Sequence, residues 1–180
     1  MPSTVISKAD FERTLTRLAY EIVEKNKGAE NIALVGIRTR GEFLAKRLAQ
    51  KINTIEKITI ALGFLDITFY RDDLQGKLNQ PVIKGTEIAF DVTGKNIILV
   101  DDVLFTGRTI RAAMDELIDM GRPASIQLAV LVDRGRRELP IMANFVGKAI
   151  TTTLDQEVKV KMKEIDGEDG VVLISGIKEK

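Results

Sequence analysis

The sequence predicts an α/β fold built on a mainly parallel, twisted sheet flanked by helices. Three observations carry that expectation. Short apolar runs at positions 32–37, 97–100 and 125–132 have the length and β-branched content of strands buried on both faces. Stretches with apolar residues at helical spacing separate them. Each run also empties into a polar loop: Arg38-Thr39-Arg40-Gly41, the segment 101–109, and the segment 133–140. Strands alternating with helices give parallel sheets with right-handed crossovers, and ligands sit outside the carboxyl ends of such strands.

The elements follow in order. Ser7-Lys8-Ala9-Asp10 is a capping box that opens a helix running to about Asn26, with Gly28 as its stop. Phe11, Leu15, Leu18 and Ile22 share its core face; Arg13, Thr16, Arg17, Tyr20 and Glu24 lie opposite. The strand at 32–37 leads through the Arg38 loop into a helix over 42–52, with Phe43, Leu44 and Leu48 available for packing. Residues 57–69 read as a long extended segment, ended by Tyr70-Arg71-Asp72-Asp73. The polar run from there to Pro81, with Gly76 and Asn79, reads as a flexible loop, and residues 82–90 return as extended chain. Val92-Thr93-Gly94-Lys95 turns into the central strand. Ile110, Ala113, Met114 and Leu117 stripe the next helix, which Gly121 and Pro123 close. A strand at 125–132 and a short one near Phe145 follow. Val158, Val160 and Met162 alternate with lysines, and residues 171–174 pair back across Asp166-Gly167 as a C-terminal β-hairpin.

Composition bounds the rest. A chain of 180 residues reads as a single domain over 1–180, with the 44% hydrophobic and 29% charged content of an ordinary globular protein. A net charge of +1 provides no global field for nucleic acid, so any RNA site must be a local patch. There is no cysteine, which excludes disulfides, thiolate chemistry and cysteine-based zinc sites. There is no histidine either, so acid–base work near neutral pH falls to carboxylates, lysines or tyrosines. The first ten residues carry no signal-peptide pattern and no apolar run reaches membrane-spanning length. The expected compartment is the cytoplasm, with no membrane partner.

The chemistry concentrates at positions 97–109, IILVDDVLFTGRT. Asp101 and Asp102 follow the apolar run, and Val103, Leu104 and Phe105 lead to Thr106-Gly107-Arg108-Thr109, directly before a helix. A short glycine-containing loop at a helix N-terminus offers amides, hydroxyls and a favourable dipole to an anion. Either half alone is an ordinary junction. Carboxylates first and a phosphate cradle second suit a ligand whose hydroxyls, or a hydroxyl-bound divalent metal, lie a few ångströms from a phosphate. Ribose 5-phosphate is such a ligand. Arg38, Thr39, Arg40 and Gly41 form a second anion loop, fit for a more highly charged group. A 5-phosphate, ribose hydroxyls and a diphosphate together describe phosphoribosyl diphosphate (PRPP). Mg²⁺ suits the oxygen donors of a diphosphate site, with Asp101 and Asp102 as its candidate protein ligands.

The stretch resembles the PRPP signature of the type I phosphoribosyltransferases. Three further segments, GIRTRG (36–41), DITFYRDDL (66–74) and VDRGRRELP (132–140), resemble the PyrR family of pyrimidine-operon regulators and uracil phosphoribosyltransferases, collinearly over essentially the whole chain. The resemblance implies a type I phosphoribosyltransferase fold and conversion of uracil and PRPP to UMP and diphosphate with Mg²⁺. It implies a homodimer or homotetramer and, in the regulators, binding of leader messenger RNA in response to uridine nucleotides. By resemblance, Asp101 and Asp102 hold the ribose hydroxyls, Thr106 to Thr109 the 5-phosphate, and Thr39 and Arg40 the diphosphate. Tyr70, Arg71 and Asp72 belong to the loop over the reacting centre, with Arg71 a catalytic charge. Val132, Asp133 and Arg134 line the base pocket. A nucleotide-sensing regulator with little catalysis and a purine phosphoribosyltransferase remain open beside the uracil enzyme.

The RNA-facing positions match the family in part. Thr16, Arg137 and Lys148 stand where its RNA contacts lie. Tyr20 and Arg136 replace its usual histidines, Met142 replaces an arginine, and Ile150-Thr151-Thr152-Thr153 replaces Ile/Val-Pro-Thr-Ser. RNA binding is therefore expected to be weakened relative to the family, since one phosphate contact is lost.

Overall fold

The computed structural model describes residues 2–68 and 85–176. In chain order the elements are β1 (Ser3–Ile6), α1 (Lys8–Asn26), β2 (Ile32–Ile37), α2 (Arg40–Glu56), β3 (Ala61–Leu65), β4 (Asn96–Leu104), α3 (Arg108–Met120), β5 (Ser125–Asp133), β6 (Phe145–Ala149), β7 (Gln156–Lys161), the short turn α4 (Lys163–Asp166) and β8 (Gly170–Ser175). Five strands form a parallel sheet in the order β3-β2-β4-β5-β6. The period of two sorts each strand between the sheet's faces. In β4, Ile98 and Val100 join the cluster containing Phe11 and Leu44 of α1 and α2. Ile97 and Leu99 join the cluster containing Ile110 and Leu117 of α3.

The caps act where the sequence puts them. The Ser7 hydroxyl accepts the Asp10 N–H at 3.2 Å and donates to the Asp10 carboxylate at 2.6 Å. At the other end of α1, Lys27 takes the left-handed conformation (φ 56°), one residue before the expected stop at Gly28. Two other expectations change. α2 begins at Arg40 and runs to Glu56, so the extended segment expected over 57–69 shrinks to the five residues of β3. The returning chain makes a single bridge among the described residues, Phe64 to Glu87. The flexible loop expected from Tyr70 to Pro81 lies outside the described residues, Arg71 included.

The terminal hairpin is part of something larger. β7 and β8 pair antiparallel, with Val158 opposite Leu173 and Val160 opposite Val171, but β8 also pairs with β1, Ser3 opposite Leu173. β1 has only four residues, too few for a period-two pattern to stand out. The resulting sheet, order β1-β8-β7, is separate from the five-stranded one, and its β7 accepts hydrogen bonds from Arg40 after β2 and Arg134 after β5.

Arg47 of α2 ties this small sheet down. Its side chain, 14% exposed, donates to Glu164 at 2.6 and 2.9 Å and to Asp169 at 2.9 and 3.0 Å, and reaches Glu12 of α1 at 3.3 Å. Desolvation works against the charged guanidinium, but these bonds outweigh it and hold Arg47 protonated above its ordinary value. The Arg47 bond holds Glu164 below the ordinary carboxylate range. Burial opposes the ionisation of Asp169, yet the bonds from Arg47 and the Lys163 N–H bring it below that range too. Carboxyls lowered on folding contribute stability above their unfolded values, 4.5 and 3.8, that is lost as pH falls through the folded ones. Arg47→Met should therefore lose roughly 2–3 kcal/mol at pH 7, discounted for the part-exposed Glu164. It should also lose less further stability than wild type below pH ~4.5. Urea unfolding of both proteins across pH 3.5–7 checks this; parallel curves would contradict it.

Candidate active site

The order of the parallel sheet creates a crevice. From β2 the chain moves outward to β3, while from β4 it moves the other way to β5 and β6. Neighbouring strands whose connections leave in opposite directions open a gap at their carboxyl ends, where α/β proteins bind ligands. β2 and β4 are that pair, and their register ends with Gly36 opposite Val100. The loop at Arg38 and the aspartates of β4 face each other just beyond it. Two glycines allow the approach. A Cβ at Gly36 would lie 2.5 Å from the Gly41 carbonyl oxygen, and one at Gly41 2.5 Å from the Val100 carbonyl oxygen. Gly41, a predicted site residue, thus lets the first turn of α2 rest on β4.

β4 does not end where its apolar run ends. It continues to Leu104, paired with β5 alone, with Asp101 opposite Val130 and Leu104 opposite Asp133. The aspartates are therefore part of a strand, and Asp101 is buried at 8% exposure instead of lying at a solvent-facing end. Its Oδ1 accepts the Asp102 N–H at 2.9 Å, and Asp102 Oδ1 accepts the Val103 N–H at 2.9 Å. Burial pushes the Asp102 carboxyl up from its ordinary value, against the opposing pull of its bond with Asp101 and the Arg40 charge.

Two cavities meet on this strand. One, about 340 Å³, is lined by residues 103–110 and Glu138. The other, about 350 Å³, is lined by Ile37, Arg38, Thr39, Arg40, Ile67, Asp101 and Asp102, and it shares Val103 and Thr109 with the first. The first has the elements of an anion cradle, a glycine-started helix N-terminus beside threonines. Gly107 takes the left-handed conformation (φ 93°) that begins α3, whose first turn contains no acidic residue. The loop is buttressed from behind: the Thr106 carbonyl accepts the N–H groups of Glu138 and Leu139 at 2.9 and 3.1 Å.

Comparison with known proteins agrees with this arrangement. The phosphoribosyl transferase domain family matches residues 5–164. The chain is 56% identical over 171 residues to the bifunctional protein PyrR of Deinococcus radiodurans, covering 95% of this chain and 93% of that one. It is 54% identical over 174 residues to its Listeria monocytogenes counterpart, covering 95% of both. The chain belongs to the PyrR family of phosphoribosyltransferases. Solved structures show the fold at lower identity. The hypoxanthine phosphoribosyltransferase of Trypanosoma cruzi superposes with TM-score 0.73 at 16% identity, covering 95% of this chain and 94% of that one. That of Staphylococcus aureus gives 0.69 at 18%, covering 98% and 92%.

Within this PyrR-family site, the arginines do other work than their sequence positions suggest. Arg38, 9% exposed in its side chain, lines the second cavity but is already engaged within the protein: it donates to the Gly85 carbonyl at 2.9 Å and Glu42 at 2.7 Å, with Glu87 at 3.2 Å. Arg40 donates to the Val160 carbonyl of β7 at 2.9 Å and reaches Asp166 at 3.3 Å. Arg108 pairs at 2.6 Å with Glu138, a cavity-lining residue to which the sequence reading gave no role. Glu138 sits in a loop that only the fold brings to residue 106. Thr39, the N-cap of α2, makes no side-chain capping bond and lines the second cavity with Arg38 and Arg40.

The loop after β5 is similarly self-occupied. Val132 is fully buried in the core. Asp133 pairs with Arg137, and its carbonyl accepts the Ile150 N–H at 2.8 Å. The Arg134 N–H goes to the Leu104 carbonyl at 3.0 Å. Arg137, expected as a surface cation, is an internal brace: it also donates to the carbonyls of Phe105 at 3.0 Å, Ile141 at 2.8 Å and Gly135 at 3.2 Å. Of the other candidate RNA contacts, Thr16 accepts a hydrogen bond from Lys51 at 3.0 Å and Lys148 donates to the Val5 carbonyl at 2.9 Å. Tyr20 and Arg136 are exposed.

The Asp102 environment has a measurable sign. Because burial raises this carboxyl, ionisation costs the folded protein stability as pH rises above the unfolded value of 3.8. Asp102→Asn keeps an acceptor for the Val103 N–H without the charge. Its thermal midpoint should equal or exceed wild type at pH 7, with the gap closing toward pH 4; a variant less stable than wild type at pH 7 would contradict the burial argument.

Proposed function

We propose that this protein transfers the 5-phosphoribosyl group of PRPP to uracil, forming UMP and diphosphate. One observation carries the reading: a buried strand supplies two carboxylates and then a helix-capped phosphate cradle, and the adjoining cavity opens to a second anion loop. The 5-phosphate goes to the amides and hydroxyls of residues 106–109, the ribose hydroxyls to Asp101 and Asp102, and the diphosphate to residues 38–41.

The placement gives the reaction its direction. The diphosphate cavity lies on the β2 side of β4. In an in-line displacement the base approaches C1′ from the opposite side, over the end of β5, where Asp133 and Arg134 stand. The C1′–oxygen bond to diphosphate breaks, the N1–C1′ bond forms, and the uracil N1 proton passes to an oxygen of the departing diphosphate. The departing group leaves as an anion held by the protein, so catalysis is positioning and electrostatics, consistent with a chain that has no histidine.

Mg²⁺ fits this donor set when it arrives with PRPP. Among the described residues no cluster of three or more acidic side chains could hold a metal alone, so Asp101 and Asp102 would complete a shell supplied mostly by ligand oxygens and water. There the ion would offset diphosphate charge.

The family's regulatory activity is proposed at reduced strength here. Arg137 is engaged within the protein, and exposed Tyr20, Arg136 and Lys148 (the last donating to the Val5 carbonyl) are the groups best placed to meet RNA. The catalytic reading is tested by diphosphate release from PRPP and Mg²⁺ with uracil or hypoxanthine, and by the double variant D101N/D102N. Uracil-dependent release should exceed release with hypoxanthine by at least about a hundredfold, and the variant should lose a similar factor while remaining folded. Equal rates with both bases, or an unimpaired variant, would contradict it.

A further inference from the structure

Arg134 is a buried cation that makes no ion-pair contact among the described residues, although the Glu157 charge acts on it from farther off. Its exposure is 8%, and among the described residues no carboxylate lies within 4.0 Å of it; its neighbour in sequence, Asp133, is bound to Arg137. Its partners are neutral. Nε donates to the Thr152 hydroxyl at 3.0 Å, Nη2 donates to the Gln156 carbonyl at the start of β7 at 2.7 Å, and the guanidinium lies 4.0 Å from the centroid of the Phe105 ring. Thr152, 3% exposed, returns its hydroxyl proton to the Arg134 carbonyl at 3.3 Å. With the Arg134 N–H on the Leu104 carbonyl, both main-chain polar groups of this residue are used. It therefore has no backbone donor left for a base edge.

Burying a guanidinium without a counter-ion is expensive, and a neutral side chain would tie two loops together at lower cost. What a guanidinium adds is a rigid planar fork that fixes several groups at once. The groups fixed here come from three segments. Phe105 lines the phosphate cavity, Thr152 belongs to the strap after β6, and Gln156 begins the edge strand of the small sheet. All three converge on the residue that directly follows the end of β5.

We propose that Arg134, locked by Thr152, is a positioning residue that sets the width of the base pocket by holding the strap at 150–156 at a fixed distance from Phe105. Thr152 is its second half, since it alone bonds both the guanidinium and the main chain of Arg134. The inference rests on the reading of this crevice as a pyrimidine phosphoribosyltransferase site. A structural tie would matter equally for every ligand. A positioning tie matters only for ligands that carry a base.

Titration calorimetry of the full chain with UMP and, separately, ribose 5-phosphate distinguishes these. Thr152→Val keeps the shape and removes both hydroxyl bonds; it should weaken UMP about five- to tenfold, the loss of one to two hydrogen bonds, and leave ribose 5-phosphate within about twofold. Thr152→Ser should restore UMP binding. Arg134→Lys keeps the charge but loses the fork, and should show the same base-selective loss; it decides the matter if Thr152→Val does not fold. Unchanged UMP affinity in both variants, or equal weakening of the two ligands, overturns the proposal alone. Wild-type protein that binds UMP no more tightly than ribose 5-phosphate refutes the base-site reading and the proposal with it.

Discussion

Beyond the pair Gly36–Val100, β2 and β4 cease to hydrogen-bond, and the site depends on that parting. β2 turns away at Arg38 into α2, while β4 keeps its pairing with β5 for four more residues. β4 thus has an open edge on the β2 side at the floor of a crevice, with Asp101 and Asp102 on this last stretch and a helix N-terminus soon after it. Had β2 run on beside β4, Asp101 and Asp102 would be interior residues with no cavity to serve. Gly36 and Gly41 make the parting compact, because any side chain there would push the Arg38 loop off β4.

The charges around this crevice are arranged to be satisfied before a ligand arrives. Arg38 braces the chain returning at Gly85, Arg40 reaches the edge strand β7, Arg108 pairs with Glu138, and Arg137 knots the loop after β5. Such pre-engaged arginines define loop shape first and contribute charge second. The cavity walls combine these engaged arginines, Arg38, Arg40 and Arg108, with threonines and the Asp101–Asp102 pair. β7 is held by arginines at both ends, Arg134 at the Gln156 carbonyl and Arg40 at the Val160 carbonyl, so the small sheet is fastened to two different site loops.

Much of this was legible in the sequence because its signals are local. The cap at Ser7, the buried runs at 32–37 and 125–132, the stripe of α3 and the acid-then-threonine order of 101–109 each depend on residues within one or two turns of one another. The extension of β4 through Asp101 was not legible, because carboxylates read as a strand end unless the continuing partner, here β5, is known. β1 was hidden by its brevity. The roles of Arg38, Arg134 and Arg137 were hidden for a different reason: their partners at Gly85, Thr152 and Phe105 lie 18 to 47 positions away, and a cation in a loop shows nothing of what it will fold onto.

The central claim is that one strand end divides a single ligand between two anion loops. Amide-shift mapping by nuclear magnetic resonance tests it most directly, with ribose 5-phosphate and with PRPP and Mg²⁺ added to the ¹⁵N-labelled protein. The account predicts that ribose 5-phosphate shifts the amides of residues 106–109 and leaves those of 39–41 nearly unmoved, and that PRPP shifts both sets. Perturbation of 39–41 by ribose 5-phosphate alone, or of neither loop by PRPP, would contradict it.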